Sequence, residues 1–116
     1  RCVAFLTVAP IRMGHTLVVP REEIDHWVDA PADLTAHLFQ TAQKVAIAIQ
    51  KAFPCKKVGL MVAGLEVPHL HIHLTPIDDI ADMDFALQNS HATAEELDAA
   101  AAAIRTAALA DRSEDQ

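Results

Sequence analysis

An α+β fold with a mostly antiparallel sheet is what this sequence predicts, on three observations. Short apolar runs bounded by Pro and Gly alternate with two longer segments whose apolar residues recur every three or four positions. The order of those runs is strands, helix, strands, helix. Within Pro68-His69-Leu70-His71-Ile72-His73-Leu74-Thr75, three histidines occupy every second position, the period of a strand with one polar and one apolar face. At 116 residues and 12.6 kDa the chain is sized for one domain with a single core. That domain is expected over residues 1–110, with 111–116 as a frayed polar tail. Arg1 already stands in an apolar run, so an upstream segment is expected to be missing.

Residues 3–8 form the first apolar run. Pro10 and Gly14 bracket a turn, and His15-Thr16-Leu17-Val18-Val19 returns as a second strand that Pro20 stops. From Pro31 to about Phe53 the spacing turns helical, with Leu34, Leu38, Thr41, Val45, Ile49 and Phe53 on one stripe. Asp29 or Asp33 is the expected cap, and Pro54 blocks continuation. Residues 57–63 form a third strand broken at Gly64, and residues 68–77 a fourth that carries the histidines. The acidic stretch 78–89 is expected to be an irregular loop. Thr93-Ala94-Glu95-Glu96 is a capping-box pattern, and the helix behind it carries Leu97, Ala101, Ile104 and Ala108 on one stripe.

Composition removes several function classes. A net charge of -7 and a pI near 5.3 argue against binding to a nucleic-acid backbone. No apolar run approaches the roughly 18–20 residues that span a bilayer, and no secretory signal is visible, so no membrane partner is expected. Cys2 and Cys55 form neither a metal-type nor a redox-type spacing, which fits a reducing cytoplasm.

The histidine row admits three readings. Solvated histidines on an exposed sheet face are the bland one. A strand-borne zinc site is the second, although positions four apart on a strand are separated by about 13 Å and no carboxylate or cysteine in the segment completes a ligand set. The third is nucleophilic catalysis on phosphorus: a neutral imidazole attacks well near pH 7, and a phosphorylated imidazole leaves well. Neighbouring imidazoles then hold the nucleophile's tautomer or donate to phosphoryl oxygens. His71, flanked on both sides, is the expected nucleophile. His26, His37 and His91 read as surface or helix-face residues, Trp27 as packing at the surface or a subunit seam, and Lys44, Lys51, Lys56 and Lys57 as solvated positions.

The His-x-His-x-His pattern with apolar x resembles the histidine triad (HIT) family, in its bacterial Hint-like branch. A second block agrees, Ala4-Phe5-Leu6-Thr7-Val8-Ala9-Pro10-Ile11-Arg12-Met13-Gly14-His15-Thr16-Leu17-Val18-Val19-Pro20-Arg21, which is similar to the family's hairpin with its Gly-His-x-Leu-Val-x-Pro signature. The resemblance implies an antiparallel sheet of about five strands per subunit with one long central helix and a C-terminal helix. It also implies a homodimer that hydrolyses or transfers nucleoside monophosphates, from phosphoramidates or phosphoanhydrides, with no cofactor and no metal. By position His71 is the nucleophile that becomes nucleotidylated, His69 orients it, His73 contacts phosphate and His15 lies near the phosphates. Phe5, Leu6, Thr7 and Val8 match the segment lining the nucleoside pocket, and Gly64, Leu65, Glu66 and Val67 the loop ahead of the triad.

Three positions depart from the family pattern. Thr7 stands where an acidic residue holds the ribose hydroxyls, Leu65 replaces a Gln, and Glu66 replaces a Ser or Thr. Loss of the acidic residue removes a charge-assisted hydrogen bond of about 1.5–3 kcal/mol, and a Glu66 carboxylate repels an anionic phosphate. Altered substrate preference is therefore expected. A binding module that holds a phosphorylated ligand without turnover is the alternative these three residues favour.

Overall fold

The computed structural model describes residues 1–114, with side chains as far as 110. Four strands and two long helices follow one another as β1 (Cys2–Leu6), β2 (Thr16–Pro20), α1 (Ala32–Ala52), β3 (Lys57–Met61), β4 (Ile72–Ile77) and α2 (Ala94–Glu114). The strands form one antiparallel sheet in the order β1-β2-β4-β3. This is the predicted α+β architecture, with four strands among the described residues rather than about five. The segment between β2 and α1 carries Glu22, Glu23, Asp25 and Asp29, too many charges to alternate in a ladder. It meets the sheet end through the Leu70 N–H, which donates to the Ile24 carbonyl at 2.6 Å.

Strand alternation divides the sheet into two faces. Thr16, Val18 and Pro20 of β2 are buried while Leu17 and Val19 are half-buried on the other side. Register then aligns Phe5, Leu17, His73 and Met61 in one cross-strand row, and Leu6, Thr16, Leu74 and Leu60 in the next row, on the opposite face. The core lies on that opposite face. Val18, Leu70, Ile72 and Leu74 pack there against Leu38, Ala42 and Ile49 of α1, each large aliphatic side chain contributing roughly 1.5–3 kcal/mol by leaving water.

The buried stripe of α1 is Leu34, Leu38, Ala42, Ala48 and Ile49, with Val45 and Phe53 partly buried beside it. Neither Asp29 nor Asp33 caps this helix. Asp29 is used two residues earlier in a short 3-10 turn, Trp27–Asp29, and the cap position falls on Pro31, whose carbonyl accepts the Thr35 N–H at 3.0 Å and the Thr35 hydroxyl at 3.2 Å. Asp33 instead sits in the first turn, where its charge complements the helix dipole. At the far end Phe53 turns extended and Pro54 prevents another turn.

The capping box of α2 forms as the sequence indicates: Glu96 N–H donates to Thr93 Oγ1 at 3.1 Å, and Thr93 N–H donates to Glu96 Oε1 at 3.0 Å. The helix packs along α1 and against β1. Its backbone runs on to Glu114, past the 111 boundary set for a polar tail, while residues 115 and 116 of that tail lie outside the described residues. The stretch 78–89 also carries more order than a loop. Asp79 caps the 3-10 turn Ile80–Asp82 and Asp84 caps Phe85–Leu87, each accepting a backbone N–H at 2.9 Å. No described helix is long and apolar enough to cross a membrane.

Candidate active site

Four histidines meet at the end of the sheet where β2 and β4 pair, and their hydrogen bonds fix which nitrogen of each ring carries a proton. A carbonyl only accepts, so His71 Nδ1, 2.7 Å from the His69 carbonyl oxygen, must hold its hydrogen. In the neutral ring the lone pair of His71 is then on Nε2. His69 is anchored the same way, donating from Nε2 to the Pro20 carbonyl at 2.8 Å. His69 thus orients His71 through its main chain rather than its ring.

A second chain of bonds enters from the β1–β2 turn. The Ile11 N–H donates to His15 Nδ1 at 3.0 Å, so His15 carries its hydrogen on Nε2. That nitrogen lies 2.9 Å from His73 Nδ1 and donates to it, which leaves His73 with its own hydrogen on Nε2. His15 is fully buried, and burial pushes its imidazole down to about 4, with the neighbouring His73 ring as the second cause. Burial likewise lowers His73 to about 4, followed by the effect of His71. Both rings are neutral at pH 7, as the bond chain requires. The turn that delivers Ile11 is held by Gly14 at φ +104° and by Arg12, which bonds Asp78 at 3.0 Å and the Pro54 carbonyl at 2.7 Å.

Three cavities adjoin His71. One of about 300 Å³ is apolar, lined by Phe5, Leu17, Val19, Val67 and His69. A second, about 270 Å³, is lined by Thr7, Gly64, Leu65, Glu66, Val67, His73, Phe85 and Gln88 among others. The third, about 240 Å³, includes Asp25, His26, Trp27, Gly64 and Leu65. Of the expected pocket residues, Phe5, Thr7, Gly64, Leu65, Glu66 and Val67 therefore line the space around the triad. Leu6 does not: alternation turns it to the other face, where it lines a cleft against α2. Val8, 77% exposed, lines none of the three. Thr7 uses its hydroxyl oxygen locally, accepting the Ala9 N–H at 3.2 Å.

Sequence reasoning passed over Phe85, Gln88, Asp25, His26 and Trp27 as parts of this region. Segment 78–89 crosses the histidine face of the sheet. Gly59 admits it, since a Cβ there would stand 2.5 Å from Met83 Sδ. Phe85 packs edge-on to His73 with centroids 4.8 Å apart, and Gln88 donates to the Ala9 carbonyl at 2.9 Å. The Asp79 and Asp84 caps were the only local signal of this strap. His37 is half-buried on α1 and His91 is exposed ahead of α2, both away from the triad cavities.

Among the described residues no group of three or more His, Cys, Asp or Glu side chains is arranged to hold a metal ion. Both nitrogens of His15 and one in each triad ring are engaged in hydrogen bonds. What the arrangement offers is one lone pair at His71 Nε2 beside one N–H at His73 Nε2.

An antiparallel sheet with a row of hydrogen-bonded imidazoles at one end defines the class of fold, and comparison with known proteins names the family. The family model of the HIT domain matches residues 1–80, and the chain belongs to the HIT family. It is 36% identical over 81 residues to an uncharacterised HIT-like protein of Saccharolobus solfataricus, covering 66% of this chain and 58% of that protein. It is 35% identical over 78 residues to a bifunctional bis(5'-adenosyl)-triphosphatase/adenylylsulfatase of Arabidopsis thaliana, covering 63% and 43%. The chain thus spans about half the length of these curated relatives. Among solved structures, a HIT-like protein of Bartonella henselae superposes with a TM-score of 0.79 at 29% identity, covering 91% of this chain and 79% of that one.

Proposed function

We propose that the chain is a nucleotidyl hydrolase or transferase that cleaves a phosphoramidate or phosphoanhydride bond through a nucleotidyl-histidine on His71. The observation that carries this is the tautomer of His71: the His69 carbonyl takes the Nδ1 hydrogen, so in the neutral ring the lone pair is on Nε2, beside three cavities. His71 Nε2 attacks phosphorus and the leaving group departs. Water then attacks the same phosphorus, and the His71–phosphorus bond breaks to release a nucleoside monophosphate. His73 Nε2–H donates to a phosphoryl oxygen as charge develops there, and His15 holds that hydrogen in place. The apolar cavity of Phe5, Leu17 and Val19 accepts the nucleoside. The hydrolase names of relatives such as the Arabidopsis protein support the reaction class.

The functional unit on this reading is a homodimer in the cytoplasm. An apolar groove lined by Trp27, Leu38, Phe39, Leu60 and Val62 lies along the outer edge of the sheet, with Trp27 54% and Phe39 58% exposed. Light scattering reads twice the 12.6 kDa chain mass if the groove pairs with its copy, and the chain mass itself if it does not. Cys2 and Cys55 are both free thiols.

The test is turnover of nucleoside phosphoramidates and dinucleoside polyphosphates by wild type and His71→Ala. Loss of at least about 10³-fold in kcat is expected for the variant. Equal turnover by the two proteins refutes His71 as nucleophile, and binding of nucleoside monophosphates without any turnover establishes a binding module instead.

A further inference from the structure

We infer that Glu66 and Asp25 select the leaving group, and that the bond this site is built to break carries an amine with a positive charge of its own. The inference rests on the reading of His71 as nucleophile and narrows its substrate class.

The argument is one of charge around a single atom. Of the three cavities adjoining His71, the one lined by Phe5, Leu17, Val19 and Val67 carries no charged side chain and suits a nucleoside. The other two are the ways out for whatever departs from phosphorus. One carries the Glu66 carboxylate and the other the Asp25 carboxylate, and neither includes a lysine or an arginine. A phosphoanhydride expels a second phosphate, an anion that either route sets beside a carboxylate with no cation to offset it. Sites that transfer phosphoryl groups between polyphosphates neutralise that charge with Lys, Arg or a metal ion. A positively charged amine meets the opposite situation on both routes. The whole chain agrees in sign, at a net charge of -7.

The chemistry balances without a co-reactant other than water. His71 Nε2 forms a bond to phosphorus as the phosphorus–nitrogen bond breaks, and the departing nitrogen takes a proton from water. A second water then attacks phosphorus, returns a proton to solvent and frees His71 neutral. The remote ammonium of the leaving group takes no part in bond breaking and serves only as the handle for Glu66 or Asp25.

The experiment uses the full chain and three nucleoside 5'-phosphoramidates of matched length, whose amines are 4-aminobutyl, butyl and 3-carboxypropyl. We expect kcat/KM to rank cationic above neutral above anionic, by about threefold at each step, as for exposed ion pairs such as Asp25 and Glu66 would form. In the Asp25→Asn/Glu66→Gln double variant the cationic-to-neutral ratio falls to near one, while Glu95→Gln, remote on α2, keeps the wild-type ratio. Raising the salt concentration shrinks the wild-type ratio, a readout that holds even if the double variant fails to fold. His71-dependent turnover with no ranking, or with the anionic substrate ahead, overturns the inference and leaves the nucleophile intact. A ranking that persists in a folded double variant overturns the assignment to these carboxylates. Absence of turnover on all three overturns both.

Discussion

Acidification from pH 7 to pH 5 loosens the fold through the buried imidazole of His15. His15 is 0% exposed and holds its folded value near 4 against an ordinary 6.5, because burial opposes its charge. A lowered folded value means that the unfolded chain binds the proton first, so stability is full above 6.5 and drains away as pH falls toward 4. Over the two units from 7 to 5, a shift of that size at one imidazole removes about 2 kcal/mol. His73, also held near 4, adds to the loss in the same direction. Asp78, Asp82, Glu22 and Glu96 have values pushed below the ordinary 3.8 or 4.5 by backbone and side-chain donors, so their contribution disappears only at lower pH. The assay is urea unfolding followed by far-ultraviolet circular dichroism at fixed protein concentration, for wild type and His15→Gln. Glutamine retains an amide N–H for His73 Nδ1 but cannot titrate. The wild-type midpoint is expected to fall between pH 7 and 5 with an unchanged slope, and the variant, weaker at pH 7, to lose less. Equal wild-type stability at both pH values, or an equal loss in His15→Gln, refutes the reasoning.

Two further perturbations address how the site is held. Gly14→Ala places a Cβ 2.9 Å from Phe53 Cδ2 at a φ of +104°, so strain and overlap act together, and denaturation should show a loss of about 2–4 kcal/mol. Phe85→Ala removes the ring that packs on His73 and admits water; the His73 resonance in a proton NMR titration should move from about 4 back toward 6.5, and an unmoved value would show that the strap does not shield it.

What the sequence made legible follows from where its signals are local. The period of two in the histidine row survives although β4 begins only at Ile72 and His69 lies in a bend: burial still alternates, with Leu70, Ile72 and Leu74 buried and the three histidines half-buried between them. The capping box at Thr93 and Glu96 was readable because its two bonds close within four residues. The cap of α1 was not, since Asp29, Asp33 and Pro31 compete within one turn and the preceding 3-10 turn decides between them. The link from Ile11 through His15 to His73 depends on a contact across 58 residues, and no spacing rule reaches that far. Phe85 and Gln88 escaped for the same reason: their roles exist only once segment 78–89 folds back over the sheet, a placement that Gly59 permits by lacking a side chain. Leu6 shows the limit from the opposite side. Resemblance assigned the whole run from Phe5 to Val8 to one pocket, and strand alternation divides it between two faces.

The most direct test of the account is the covalent state of His71 during turnover. The full chain is mixed with excess nucleoside phosphoramidate, quenched within a single turnover and digested under conditions that preserve phosphorus–nitrogen bonds. Mass spectrometry then examines the peptide containing residues 69–73. The account predicts one nucleoside monophosphate on His71, gone once substrate is exhausted and never formed in His71→Ala. Sustained turnover with His71 unmodified at every quench time, or with the adduct on another residue, would contradict it.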